Sequence, residues 1–286
     1  MLFLMFTTLD IARREDDQPE SECNPLVDPG SGESIQQPVF IILKQCLPIY
    51  NAICATYSSD PDVTEAVCTN LKQGVLQDEM CPLTQEALIL AIACYRATPQ
   101  PAALELSKQF FIMYGREAEM VDPLRALLAE LCSISLATIQ KATLSDHADL
   151  IDCFYSMLGQ VLKKQPGLFL CQNLNSSILM QAAISCLCMP EQHPVKSVAG
   201  FLNHLITVSR EVEPLVPLVN NHGEQLFMQV IKCIGGDASR SYIDYFTDIL
   251  LALNKKYFDN LCRYVIHLHS ILHFSLNLLF SIYILF

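Results

Sequence analysis

The residues best suited to chemistry stand at 235–239, where two glycines precede an aspartate and a serine in the order GGDAS. A glycine-rich turn that opens a helix can hold a phosphate, because its backbone N–H groups point at the anion. No lysine follows at the Walker spacing and no strand pattern precedes the turn, which disfavours a nucleotide site. The sequence favours a corner between two helices, where Gly235 and Gly236 let the chain turn sharply. Asp237 or Ser239 would then cap the next helix.

The spacing of the other polar residues does not support metal or catalytic chemistry. His269 and His273 would share one helix face, but no carboxylate or thiol stands nearby to complete a zinc site. The thirteen cysteines include no CxxC pair, and GxSxG, HExxH and P-loop motifs are absent from the sequence. The sequence therefore predicts no catalytic, metal-binding or cofactor-binding residue, and the chain is predicted not to be an enzyme.

The cysteines are concentrated in apolar helical segments, where a free thiol behaves as a small core hydrophobe. Positions of this kind are Cys46, Cys54, Cys68, Cys94, Cys132, Cys153 and Cys233. This usage is typical of a reducing compartment rather than of a secreted disulfide framework.

A helical repeat must position any functional residue in this chain. From 38 to 260, apolar residues recur at i, i+3, i+4 and i+7, without the alternation that marks strands. The second helices of successive pairs begin near 63, 102, 150, 194 and 242, close to the period of about 40 to 47 residues that HEAT and armadillo repeats share. The sequence predicts an all-α fold of HEAT-like helical hairpins stacked into a right-handed α-solenoid. About five pairs are expected, over 38–77, 82–114, 117–165, 176–210 and 221–256.

Three segments lie outside the predicted HEAT-repeat array of residues 38–262. Residues 1–12 are predicted to be the remnant of a preceding helix, and the polar residues 13–37 a disordered acidic linker. The apolar tail, residues 263–286, has no charged residue after Arg263 and is long enough to span a bilayer, which needs ~20 residues. Its histidines, serines and asparagine weaken that interpretation. A helix packed on the preceding repeat is an alternative.

Acidic side chains occupy the non-core face of the second helices, which line the concave side of a HEAT stack. Acids in a first helical turn need no partner, because they oppose the positive end of the helix dipole. That explanation covers Asp62, Asp149 and Asp237. The acids predicted to contact a partner are Glu65, Glu105, Asp152, Asp244 and Asp248. All of these except Glu105 are expected to stand further inside their helices. The net charge of −12 favours basic protein partners and disfavours nucleic acid.

Long stretches of the chain resemble the C-terminal repeats of β-karyopherins of the importin-13/transportin-3 branch. They are TLDIARREDD (8–17), DPDVTEAVCTNLK (60–72), ADLIDCFYSMLGQVLKKQPGLFLCQNLN (148–175) and GGDASRSYIDYFTDILLALNKKYFDNL (235–261). The resemblance extends over residues 6–262. It implies a nuclear transport receptor that binds cargo proteins on the concave face. It also implies a response to the GTPase Ran, passage through nucleoporin FG repeats and shuttling between cytoplasm and nucleus.

The chain also departs from the pattern of that family. It has far fewer repeats, lacks the N-terminal repeats that carry most Ran contact, and ends in an apolar tail where the family has a charged helix. We therefore expect a fragment or short isoform of a receptor, with Ran bound mainly through repeats absent here. For the tail, reading into an intron or alternative exon becomes the favoured interpretation, and a membrane is disfavoured as partner. The alternative function is a generic helical-repeat scaffold for protein interaction, with or without a tail anchor.

Overall fold

The computed structural model of the protein describes residues 38–75, 83–141, 143–171 and 173–270. All regular structure in these ranges is helical. The chain divides into two compact units, one ending at Leu127 and the other beginning at Leu128. The segments predicted as helix remnant (1–12) and acidic linker (13–37), and the tail from 271 onward, fall outside the described ranges.

The first unit contains two helix pairs. These are α1 (Pro38–Tyr57) with α2 (Pro61–Val75), and α3 (Thr84–Ala97) with α4 (Pro101–Tyr114). A proline begins both α2 and α4, where its missing N–H costs little because that position has no intrahelical acceptor. The Oδ1 atom of Asp60 accepts a hydrogen bond of 3.0 Å from the N–H of Asp62 and so caps α2. Helix α1 contacts α3, and α2 packs on α4.

The second unit continues the same pattern. Its helices are α5 (Val121–Ile139, which begins before the division), α6 (Ala148–Lys164), α7 (Ser176–Cys186), α8 (Gln192–Ser209), α9 (Val216–Lys232), α10 (Ile243–Lys256) and α11 (258–270). Helix α7 packs on α9, while α8 contacts both α6 and α10. We call the first helix of each pair an A helix and the second a B helix. Within each unit, A helices contact A helices and B helices contact B helices.

Apolar stripes on both helices of each pair lie in the core, and the B helices show the pattern clearly. Val67 on α2, Phe154 on α6 and Phe246 on α10 are 4%, 0% and 0% exposed, respectively. In the second unit the ring centroid of Tyr155 lies 5.1 Å from that of Phe154 and 5.3 Å from that of Phe201 on α8. One helical hairpin could not bury these rings alone, so stacking of adjacent pairs completes the core.

The predicted all-α fold and its five helix pairs are confirmed within the described residues. The largest difference is at the fifth pair, where α9 begins at Val216 rather than at 221. Pro217 stands in the first turn of α9, and proline is favourable there because its fixed φ suits a helix start.

The corner that the GGDAS motif predicts is confirmed. Residues Cys233–Asp237 form one π-type turn after α9, and Gly236 has a φ of 133°. Few side chains tolerate that backbone conformation, and glycine does so readily. The Oγ atom of Ser239 accepts a hydrogen bond of 3.4 Å from the N–H of Ser241. Ser239, rather than Asp237, therefore caps the short 3-10 turn that leads into α10.

Helix α11 runs without a break through 262 and 263, where the predicted array ends and the predicted tail begins. Its Tyr264 packs on α9, with its ring centroid 6.1 Å from that of Phe227. A Cβ atom at Gly223 would lie 2.8 Å from the Tyr264 hydroxyl oxygen, so glycine makes room for the ring. Residues 263–270 thus form a helix packed on the preceding repeat. Across the ranges that the structure describes, no helix has both the length and the apolar character to cross a bilayer.

Candidate functional site

The five predicted contact acids all lie on B helices, but they differ in exposure. Glu65 on α2 is exposed, and so are Asp244 and Asp248 on α10. Glu105 on α4 and Asp152 on α6 are half-buried. Asp244 and Asp248 are four residues apart, so they share one face of α10. Three of the five carboxylates therefore face solvent, and the other two lie partly inside the fold.

Glu105 is paired with two lysines. Its Oε2 atom lies 3.2 Å from Nζ of Lys72 on α2, and its Oε1 atom lies 2.6 Å from Nζ of Lys108. Burial by itself would raise the pKa of Glu105, but the hydrogen bonds and charges of Lys108 and Lys72 outweigh it and lower the pKa. Because Lys72 belongs to α2, this ion pair links two adjacent B helices.

Asp152 makes an equivalent link in the second unit. Its Oδ1 atom accepts a hydrogen bond of 2.5 Å from the Oγ–H of Ser197 on α8. A short bond from a hydroxyl to a carboxylate is typical of a charge-assisted interaction. Asp152 and Glu105 thus both connect a B helix to the next one within their own unit. The sequence did not predict either link, because each joins residues of different repeats.

The position of Asp244 in α10 differs from the prediction. Because Arg240–Tyr242 form a separate 3-10 turn, α10 begins at Ile243 and Asp244 lies in its first turn. The prediction that Asp244 stands further inside its helix is therefore wrong. Its carboxylate opposes the positive end of the helix dipole, which stabilises α10. The predicted place of Asp237 in a first turn is also wrong, since Asp237 ends the corner before this helix.

The cysteines predicted to lie in the core are buried, except that Cys153 is half-buried. Two of the contacts between thiols link adjacent A helices or the turns at their ends. The Sγ atoms of Cys54 and Cys94 are 3.3 Å apart, and those of Cys188 and Cys233 are 3.2 Å apart. The members of each pair are separated in sequence by 40 and 45 residues, respectively. That separation is close to one repeat, so the recurrence of cysteine at this interval was the available signal.

No candidate metal-binding site is present in the part of the chain that the structure describes. Within those residues, no group of three or more His, Cys, Asp or Glu side chains could hold a metal ion. His269 lies near the end of α11, and His273, its partner in the disfavoured zinc pair, is beyond the last described residue.

A polar cleft of about 560 Å³ lies between α9 and α11. Its lining residues are Asn220, Glu224, Asn260, Arg263, Tyr264 and His267. Asn260 donates a hydrogen bond of 2.8 Å to Asn220, and Nδ1 of His267 contacts Glu224. These pairs join the two helices, so the lining groups serve contacts within the chain.

Comparison with known proteins gives consistent matches. A family model described as "Importin 13 repeat" matches residues 187–261. Importin-13 of Bos taurus and importin-13 of Homo sapiens are each 34% identical to this chain over 267 residues. That alignment covers 93% of this chain and 27% of each relative.

The chain is an importin-13 homologue.

A solved structure entitled "Importin13 cytosolic state" agrees in fold, with a TM-score of 0.72 and 27% identity. The superposition covers 80% of this chain and 26% of the importin-13 chain. It confirms the HEAT-like fold class and, with the sequence matches, the predicted branch of the β-karyopherins. Importin-13 and its relatives are transport receptors rather than enzymes, as the sequence predicted of this chain.

The importin-13 match covers only part of the length of each relative. This chain spans 27% of the length of the mammalian importin-13 relatives. The match concerns the repeats and not the individual carboxylates. The five contact acids therefore stay predictions, as do the limits of the predicted segments.

Proposed function

We propose that this chain acts as part of a nuclear transport receptor and binds cargo proteins through its B helices. The observation that carries the proposal is the homology to importin-13 over 93% of the chain. Receptor function brings with it movement between cytoplasm and nucleus, contact with nucleoporin FG repeats and regulation by Ran. We expect Ran to contact mainly repeats outside the 27% of the receptor that this chain matches.

The cargo contacts that we propose are the exposed acids of the B helices, taken in each unit by itself. In the second unit Asp244 and Asp248 on α10 present carboxylates to solvent, and in the first unit Glu65 on α2 does so. Exposed carboxylates on a chain of net charge −12 attract basic proteins and raise their association rate. Glu105 and Asp152 contribute less, because hydrogen bonds within the chain already occupy some of their oxygen atoms.

The binding test uses the full chain with purified core histones as the basic probe. A double variant, Asp244→Asn with Asp248→Asn, should weaken binding by roughly three- to tenfold, since exposed charge pairs contribute ~0.2–1 kcal/mol each. The matched control, Glu211→Gln with Glu213→Gln, removes the same charge from the exposed loop between α8 and α9. Equal weakening by both variants would show that only net charge matters. If the Asp244→Asn, Asp248→Asn variant bound histones as tightly as the unmutated chain, α10 would not be among the cargo contacts.

A second measurement separates a transport receptor from a generic scaffold. An immobilised FG-repeat peptide should retain the chain, and a peptide with its phenylalanines changed to serine should not. Retention by neither FG repeats nor histones would favour the scaffold and contradict the proposed function.

A further inference from the structure

The thiols of Cys188 and Cys233 meet where two adjacent A helices end. Cys188 lies in the turn after α7, and Cys233 directly follows α9. Their Sγ atoms are 3.2 Å apart, and both residues are free cysteines. Cys188 is half-buried, so solvent reaches it, whereas Cys233 is 2% exposed. The pair therefore combines one partly exposed cysteine with one that is enclosed.

We propose that Cys188 and Cys233 form a modification site at which a low-molecular-weight disulfide, such as glutathione disulfide, closes an intramolecular disulfide. A disulfide has a sulfur–sulfur distance of about 2.05 Å, so the two Sγ atoms need to approach by only about 1 Å. The bond would tie the turn after α7 to the end of α9. No part of this inference depends on cargo binding.

The reaction proceeds by two exchanges. The Cys188 thiol loses its proton, and its thiolate attacks one sulfur of glutathione disulfide. A mixed disulfide forms, and one glutathione leaves as a thiolate and takes up a proton. The Cys233 thiol then loses its proton, attacks the Cys188 sulfur and releases the second glutathione. The protein loses two electrons and two protons, and glutathione disulfide becomes two glutathione thiols.

The surroundings of the two sulfurs assign their roles. The amide Nε2 of Gln229 donates a hydrogen bond of 2.7 Å to the Cys188 sulfur. The Cys233 thiol instead donates to the carbonyl oxygen of Leu187, at 3.6 Å. Burial, followed by the neighbouring Cys188 sulfur, raises the pKa of Cys233 to about 12. Because Cys188 is the more exposed of the two residues, it is the attacking residue, and Cys233 resolves the mixed disulfide.

The first unit holds a natural control for this site. Cys54 on α1 and Cys94 on α3 also join adjacent A helices, with 3.3 Å between their Sγ atoms. Both are buried, at 6% and 1% exposure. Burial also raises the pKa of Cys54 to about 12. The sulfur–sulfur distances of the two pairs are similar, but Cys54 and Cys94 are both buried. We therefore expect Cys54 and Cys94 to stay reduced while Cys188 and Cys233 are oxidised.

The test treats the reduced full chain with glutathione disulfide, blocks the remaining thiols with an alkylating agent and quantifies digested peptides by mass spectrometry. The Cys188–Cys233 disulfide should form at least ten times faster than a Cys54–Cys94 disulfide. The Cys233→Ser variant should stop at a glutathione adduct on Cys188, and the Cys188→Ser variant should leave Cys233 unmodified. A lasting adduct on Cys188 in the unmutated chain would overturn the inference, as would equal rates for the two pairs.

Thermal unfolding tests for the same disulfide independently. Oxidation should raise the Tm by roughly 5 °C, because a disulfide reduces the freedom of the unfolded chain. Dithiothreitol should reverse the shift, and Cys188→Ser should show none. A Tm rise that persists in Cys188→Ser would assign the effect to other cysteines, such as the exposed Cys262, and contradict the proposal.

Discussion

Helices α4 and α10 use their acidic residues differently. In the first unit, Glu105 is held between Lys72 and Lys108 and links α4 to α2. In the second unit, Asp244 and Asp248 on α10 face solvent. The same residue type at a similar position in a repeat can therefore stabilise the fold or remain available to a partner. What decides between these roles is whether the adjacent B helix supplies a basic or hydroxyl side chain.

The largest expected effect tests the core that supports the second unit. Phe201→Ala on α8 should lower the free energy of unfolding by ~3–5 kcal/mol, because it removes a fully enclosed ring and leaves a cavity. Phe201 is 1% exposed and lies 5.3 Å from Tyr155 and 6.3 Å from Phe169, between ring centroids. Urea unfolding followed by circular dichroism measures the loss.

The matched control for this core variant is Leu251→Ala on α10, where the side chain is 44% exposed. It should change the free energy of unfolding by less than ~0.5 kcal/mol, since little apolar surface leaves the core. Similar losses for both variants would mean that the ring cluster is not the centre of the second unit.

The helix pairs could be predicted because each repeat carries its own local signals. Apolar residues such as Phe154 and Phe246 recur at one helical face, and Pro101 and Gly236 mark a helix start and a helix corner. These signals act over a few residues and need no knowledge of neighbouring repeats. The start of α9 was less clear, because Pro217 suits a loop as well as a first helical turn.

The site was harder to predict, because its contacts join residues about one repeat apart. Lys72 and Glu105 are separated by 33 residues, and Asp152 and Ser197 by 45. Residue type and local spacing contain no signal for which B-helix acid meets a partner across the stack.

An effect of intermediate size is expected at Glu105, the half-buried acid of α4. Glu105→Gln should lower the free energy of unfolding by roughly 1 kcal/mol near neutral pH, allowing for solvent screening of a half-buried pair. The pKa of Glu105 is lowered in the folded state. Its contribution is therefore fully present above the unfolded pKa of about 4.3 and is lost as pH falls through the folded pKa. Thermal unfolding from neutral to acidic pH measures the difference between the two proteins.

Glu65→Gln on α2 is the matched control, since Glu65 is an exposed acid on the same unit. It should alter stability by less than ~0.5 kcal/mol. If the stability difference between Glu105→Gln and the unmutated chain persisted unchanged at the lowest pH, packing rather than the ionised pair would account for the loss.

The smallest expected effect concerns the exposed acids of α10. Asp248→Asn should change the free energy of unfolding by less than ~0.5 kcal/mol, because its side chain faces solvent. Asp244→Asn should cost slightly more, ~0.3–1 kcal/mol at low salt, since Asp244 lies in the first turn and opposes the helix dipole. Urea unfolding at low and high salt separates the two, because added salt should weaken only the Asp244 contribution. A loss for Asp248→Asn as large as that for Glu105→Gln would mean that Asp248 stabilises the fold, and the contrast between α4 and α10 would no longer hold.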